Sequence, residues 1–130
     1  MRMPKVRWRE APEEHDYPAA AAYLDLLTSR DTVERIVAGL RTAPVTLHKA
    51  KDILRASRLR LLPPDNAHVA ADLRKIEDGT PLSPILLVRG DLAAGTALEV
   101  ADGYHRVCAS YHTDENTQIP CRLTSLPPAS

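Results

Sequence analysis

The chain has 130 residues, 44% of them hydrophobic and 26% charged, which suits one globular domain with an aliphatic core, since Phe is absent and Trp occurs once. A formal net charge of zero with only 4% aromatic residues argues against a dedicated nucleic-acid reader, and the longest purely aliphatic run, Ile85–Val88, is far too short to span a bilayer. Two cysteines, Cys108 and Cys121, form no CxxC and do not make a disulfide scaffold, and the N-terminal MRMPKVRWRE lacks the apolar stretch of a signal peptide, so a cytoplasmic protein with reduced thiols is expected.

Residues 1–16 read as irregular, with Pro4, Pro12 and many charges. A first helix is expected over about 17–28, where Ala20, Tyr23, Leu24 and Leu27 form one apolar stripe. A second follows, with Asp31 as N-cap and Glu34 three residues on, the pattern of a capping box. Val33, Ile36, Val37 and Leu40 repeat the stripe, Gly39 weakens its end and Pro44 closes it. Together these residues, 1–44, read as an N-terminal helical extension.

A third helix is expected over 49–58, with Ile53 and Leu54 inward and Lys49, Lys51, Arg55 and Arg58 largely outward. Residues 59–62 read as a short strand stopped by Pro63-Pro64. Asp65 is placed as the cap of a fourth helix over 66–77, ended at the C-cap glycine Gly79. Strands are expected over 84–89 and 97–101, joined by a loop over 90–96 that closes a hairpin. A helix over 103–112 and a strand over 118–123 complete the pattern, and residues 126–130 read as a loose tail. The fold class is therefore α+β, a small mixed sheet backed by helices.

Charge is unevenly spread. Residues 41–62 hold six basic groups against one acidic, whereas 63–130 hold five basic and nine acidic. Such a stripe either attracts phosphate or is a solvated helix face.

The stretch VADGYHR, Val100 to Arg106, carries the most chemistry. A strand runs into Asp102-Gly103, and His105-Arg106 stand in the first turn of a helix. That turn leaves backbone N–H groups without partners and carries partial positive charge. A glycine there lets an anion approach, and His105 and Arg106 add charged donors. Asp102 is either the helix cap or a metal ligand. Tyr104, Val107, Cys108 and Tyr111 share the face that packs on the core, so Tyr104 reads as packing. His105 and His112 share a face, but two histidines alone do not make a zinc site. The chain has neither a P-loop nor a GxSxG motif.

Over about residues 45–125 the order of elements resembles the ParB N-terminal and sulfiredoxin-like superfamily. The residues that carry the likeness are Leu61-Leu62-Pro63-Pro64, Ser83-Pro84-Ile85-Leu86-Leu87-Val88, Asp102-Gly103-Tyr104-His105-Arg106 and Gln118-Ile119-Pro120-Cys121-Arg122-Leu123. The sulfiredoxin motif reads Gly-Gly-Cys-His-Arg, and the ParB motif reads Gly-Glu-Arg-Arg followed by Ala, which Gly103, Arg106 and Ala109 match. The resemblance implies a nucleotide-phosphate site formed by Gly103, His105 and Arg106, with ATP or CTP and Mg²⁺ as the expected ligands. His68 stands where sulfiredoxins begin their nucleotide-binding helix with a lysine, and Lys75, or Lys49 with Lys51, could compensate. Tyr104 replaces the sulfiredoxin cysteine, so sulfinate reduction is not expected. No helix-turn-helix follows residue 125, so a partition role is not expected either.

Two functions follow from this reading. The first is a nucleotide-dependent phosphotransferase or NTPase, with Gly103, His105 and Arg106 on the phosphates, Lys49 or Lys51 neutralising the transferred group, and Asp102, or Glu99, holding Mg²⁺ or orienting the nucleophile. The second is a binding module without turnover, for an anionic ligand or for a protein partner held by the N-terminal helices, as in a toxin–antitoxin or regulatory pair. A nuclease acting at the basic stripe is a third alternative.

Overall fold

The structure is a computed structural model and describes residues 4–127. The run Ile85–Val88 contains no polar side chain because both of its faces are covered. It forms strand β2, and alternate residues enter two separate cores. Ile85 and Leu87 pack toward helices α3 (Ala50–Ser57), α4 (Ala67–Glu77) and α5 (Tyr104–Thr113). Leu86 and Val88 pack on the other side against α1 (Asp16–Leu24) and α2 (Arg30–Thr42). The N-terminal helices are thus one outer layer of a helix–sheet–helix arrangement.

The sheet has four strands in the order β1-β4-β2-β3, where β1 is Val45–Lys49, β3 is Glu99–Asp102 and β4 is Gln118–Thr124. β4 runs parallel to β2, with Ile85 opposite Cys121, and antiparallel to β1. β2 and β3 form an antiparallel hairpin whose register shifts between Leu86 and Leu87, beside the pairing of Leu86 with Asp102. The result is the small mixed sheet backed by helices that the sequence pattern predicts.

Several local expectations are corrected. Residues 45–49 are strand β1, and helix α3 begins only at Ala50, so Lys49 ends the strand instead of starting the helix. Residues 59–62 form no strand; β1 already occupies the sheet edge beside β4, and Arg58 in the left-handed region (φ 60°) turns the chain away. Ser29 rather than Asp31 caps α2, accepting from the Thr32 N–H at 3.3 Å. Asn66 rather than Asp65 caps α4, accepting from the N–H groups of His68 and Val69. Helix α1 ends at Leu24, so its inward stripe is Tyr17, Ala20 and Leu24, while Tyr23 and Leu27 are exposed.

Two contacts fix α2 to the sheet. A Cβ at Gly39 would stand 2.6 Å from Thr124 Oγ1, so the glycine permits the close approach. The Arg122 guanidinium donates to the carbonyls of Leu40 and Arg41, satisfying the end of that helix. Trp8 pairs with Leu82, which lays the N-terminal segment beside the start of β2. The tail read over 126–130 falls largely outside the described residues.

Candidate functional site

The turn from β3 into α5 is built on Gly103. Its φ of +113° lies in the region that favours glycine, and a Cβ there would collide with the Ile85 side chain. Gly103 is also the N-cap, and no side chain caps α5, so its first-turn N–H groups stay open. Asp102, placed by the sequence either as cap or as metal ligand, does not cap the helix. Its Oδ2 accepts from Arg106 Nη2 at 2.6 Å.

Arg106 is largely committed to the fold. Nη1 donates to the Ser83 carbonyl at 2.6 Å and lies 3.7 Å from Asp16 Oδ2. The guanidinium therefore ties the β2 entry, β3 and α1 together, with a side chain only 13% exposed. Asp16, 4% exposed, sits where α1 begins; its Oδ2 accepts from the Glu13 N–H and from the Ser83 hydroxyl. Burial raises the Asp102 carboxyl above its ordinary value; Arg106 opposes the rise and the nearby Asp16 charge adds to it.

These residues line a cleft of about 400 Å³ together with one face of α4 and the start of α5. Helix α4 contributes His68, Asp72 and Lys75; α5 contributes His105 and Arg106. The rings of His68 and His105 are 4.7 Å apart, and Tyr104 stacks on His105 at 5.6 Å. Burial, then the His68 charge, pushes His105 below its ordinary value, against the pull of Asp72. Burial raises Asp72, and the cations Lys75 and Arg106 oppose it. The lining sets two fixed cations, Lys75 and Arg106, against four carboxylates, Glu13, Asp16, Asp72 and Asp102.

Six residues named from the sequence meet in this cleft: His68, Lys75, Asp102, Gly103, His105 and Arg106. Lys49 and Lys51 do not line it. Lys49 pairs with Gln118 at the far sheet edge, and Lys51 lines a separate groove with Arg55, Arg58 and Tyr111. Lys75 is the lysine that reaches the cleft. Glu99 does not; it accepts from the Tyr23 hydroxyl, whose pKa rises to about 12, led by that hydrogen bond. His112 faces the Leu62 carbonyl, 2.7 Å away. Tyr104 packs at the core edge and donates to the Arg60 carbonyl.

Sequence reasoning missed Glu13, His15, Asp16, Asp72 and Ser83. The dense cluster EEHD at 13–16 was a visible signal, but nothing local told it to face a motif ninety positions on. The two cysteines are free and fully buried, and burial pushes the Cys121 thiol up to about 12, so neither is a nucleophile here.

No protein-family model, curated protein or solved structure matches the chain at a significant level. Among the described residues, no helix is long and apolar enough to cross a membrane.

Proposed function

We propose that the cleft binds the phosphates of a nucleotide and that the chain is a ParB/sulfiredoxin-like phosphotransferase or NTPase, with ATP or CTP and Mg²⁺ as the ligands to try first. The observation that carries this is the convergence on one cleft of six residues named for a nucleotide-phosphate site and its metal ion, Gly103, His105, Arg106, Asp102, His68 and Lys75. The volume, about 400 Å³, is in the range of small-molecule sites.

The fit divides the labour differently from the sequence expectation. His105, His68, Lys75 and the open amides of α5 are the groups able to meet an anion. Arg106 acts chiefly as the post that holds Asp102, Asp16 and the Ser83 carbonyl in place. The excess of carboxylates over fixed cations would repel a naked triphosphate. A divalent cation bound with the nucleotide would offset that charge.

The test is a thermal-shift series with ATP, CTP, GTP and UTP, each with and without Mg²⁺, on the native protein, His105→Ala and Lys75→Ala. A nucleotide at about a hundredfold its Kd stabilises by about 2.7 kcal/mol. A shift that shrinks in both variants supports the site; no shift with any nucleotide rejects it.

One feature favours a second reading, the partner-binding module. Leu26 and Leu27, where α1 turns toward α2, are 83% and 53% exposed, with Tyr23 beside them. Aspartate at both leucines would abolish partner binding there and leave the cleft intact.

A further inference from the structure

We infer that Glu13, His15 and Asp16 form a binding site for a divalent transition-metal ion at the mouth of the cleft. These residues lie in the N-terminal segment, outside the region of family resemblance. Three donor atoms face one point: His15 Nε2 is 3.2 Å from Glu13 Oε2 and 3.3 Å from Asp16 Oδ1, and all three lie within 4.8 Å of one another. Ligands held at about 2.1 Å from a tetrahedral or octahedral ion are about 3.0–3.4 Å apart, so two of the three separations already match.

The remaining oxygens are held by other groups. Arg9 Nε pairs with Glu13 Oε1 at 2.8 Å, which leaves Oε2 turned toward His15. The Ser83 hydroxyl and the Glu13 N–H both bond Asp16 Oδ2, and Arg106 is near it, which leaves Oδ1. Metal sites orient their ligands with such outer partners. Asp16 is 4% exposed, and its Oδ1 faces the ring nitrogen of His15 at 3.3 Å. The carboxylate thus faces two other donor atoms in a cleft whose carboxylates outnumber its fixed cations, a setting that favours a bound cation. One imidazole and two carboxylates suit Mn²⁺, Fe²⁺, Co²⁺ or Zn²⁺ better than a soft ion. Three protein ligands leave further positions open, and His105 and His68 line the same cleft. The site does not depend on the nucleotide reading; if that reading holds, the ion supplies the missing charge opposite the phosphates.

The experiment uses the full chain, stripped with a chelator and free of nucleotide, titrated calorimetrically with Mn²⁺ and with Zn²⁺. One equivalent should bind. His15→Ala and Glu13→Gln should each weaken binding at least about tenfold. His15 is mostly exposed, so its loss leaves the fold standing, and circular dichroism checks this. With Mn²⁺, pulsed electron paramagnetic resonance should show one coordinated imidazole nitrogen that disappears in His15→Ala. Absence of binding by both ions, or binding unchanged in folded His15→Ala, overturns the inference. In either case the thermal-shift series with nucleotides reads the cleft separately.

Discussion

Gly103→Ala tests the turn on which the cleft is built. Two costs add in this variant. The first is conformational: alanine would be held at φ +113°, and a residue kept in such a sparsely populated region costs about 1–3 kcal/mol. The second is steric. The new Cβ would overlap Ile85 Cδ1 and stand 3.1 Å from Ile85 Cγ2 and 3.2 Å from Arg106 Nη2. Ile85 is fully buried in the main core, so its side chain cannot swing aside freely, and overpacking of this kind costs about 1–3 kcal/mol. The sum, about 2–6 kcal/mol, is a large share of the about 5–15 kcal/mol that holds a domain of this kind together. Urea unfolding followed by circular dichroism would read it as a lower midpoint with an unchanged slope. Ile85→Val removes the Cδ1 methyl and alone costs about 0.5–1.5 kcal/mol. The double variant should lose less than the sum of the two single losses, by about 1 kcal/mol, because it relieves the overlap. Gly103→Ala within about 0.5 kcal/mol of the native protein would refute the turn as described.

Arg106→Ala should be far more damaging to stability than His105→Ala: it strands Asp102 and Asp16 without their cation, a loss of about 3–5 kcal/mol, measurable as a drop in Tm, and equal Tm values for the two variants would contradict the assignment of Arg106 as the structural post. In an NMR titration, His105 should have a midpoint below its ordinary 6.5, set first by burial and then by His68. A depressed folded-state pKa means that its contribution to stability is present above pH 6.5 and is lost as pH falls through the lower folded value. A phosphate ligand should move that midpoint up; a midpoint at or above 6.5 in the free protein would contradict the geometry. Lys49→Ala and Lys51→Ala should leave any nucleotide-induced thermal shift unchanged, since neither lysine lines the cleft; a lost shift would relocate the site to the basic stripe.

Much of this protein is legible in its residues. The aliphatic run at 85–88, the Ile-Pro segment at 118–123 and the glycine before His105-Arg106 place three of the four strands' neighbourhoods and the start of α5, because composition and turn chemistry are local. Strand β1 was hidden: Val45-Thr46-Leu47-His48-Lys49 sits at an edge, largely exposed, and its strand character comes from pairing with β4 rather than from a buried face. The caps slipped by two residues at α2 and by one at α4, because Ser29, Asp31, Asp65 and Asn66 are all competent caps and only the path of the chain chooses among them.

The candidate site divides the same way. Asp102, Gly103, His105 and Arg106 could be chosen from sequence because they act within one turn. Their surroundings could not. Asp16 reaches Arg106 across ninety positions, Asp72 arrives on the face of another helix, which decides for Lys75 over the other lysines, and Lys49 is carried away by a strand that no local pattern announced, with Lys51 just beyond it on α3. Hydrogen-bond geometry then decided what Arg106 does, since a guanidinium already donating to a half-buried carboxylate and a carbonyl has little left for a ligand. Sequence determined which groups are available at the turn, because backbone conformation and helix ends are set over a few residues. Tertiary structure decided which of them face the cleft and with what charge, because that depends on elements brought together only by burying both faces of the sheet.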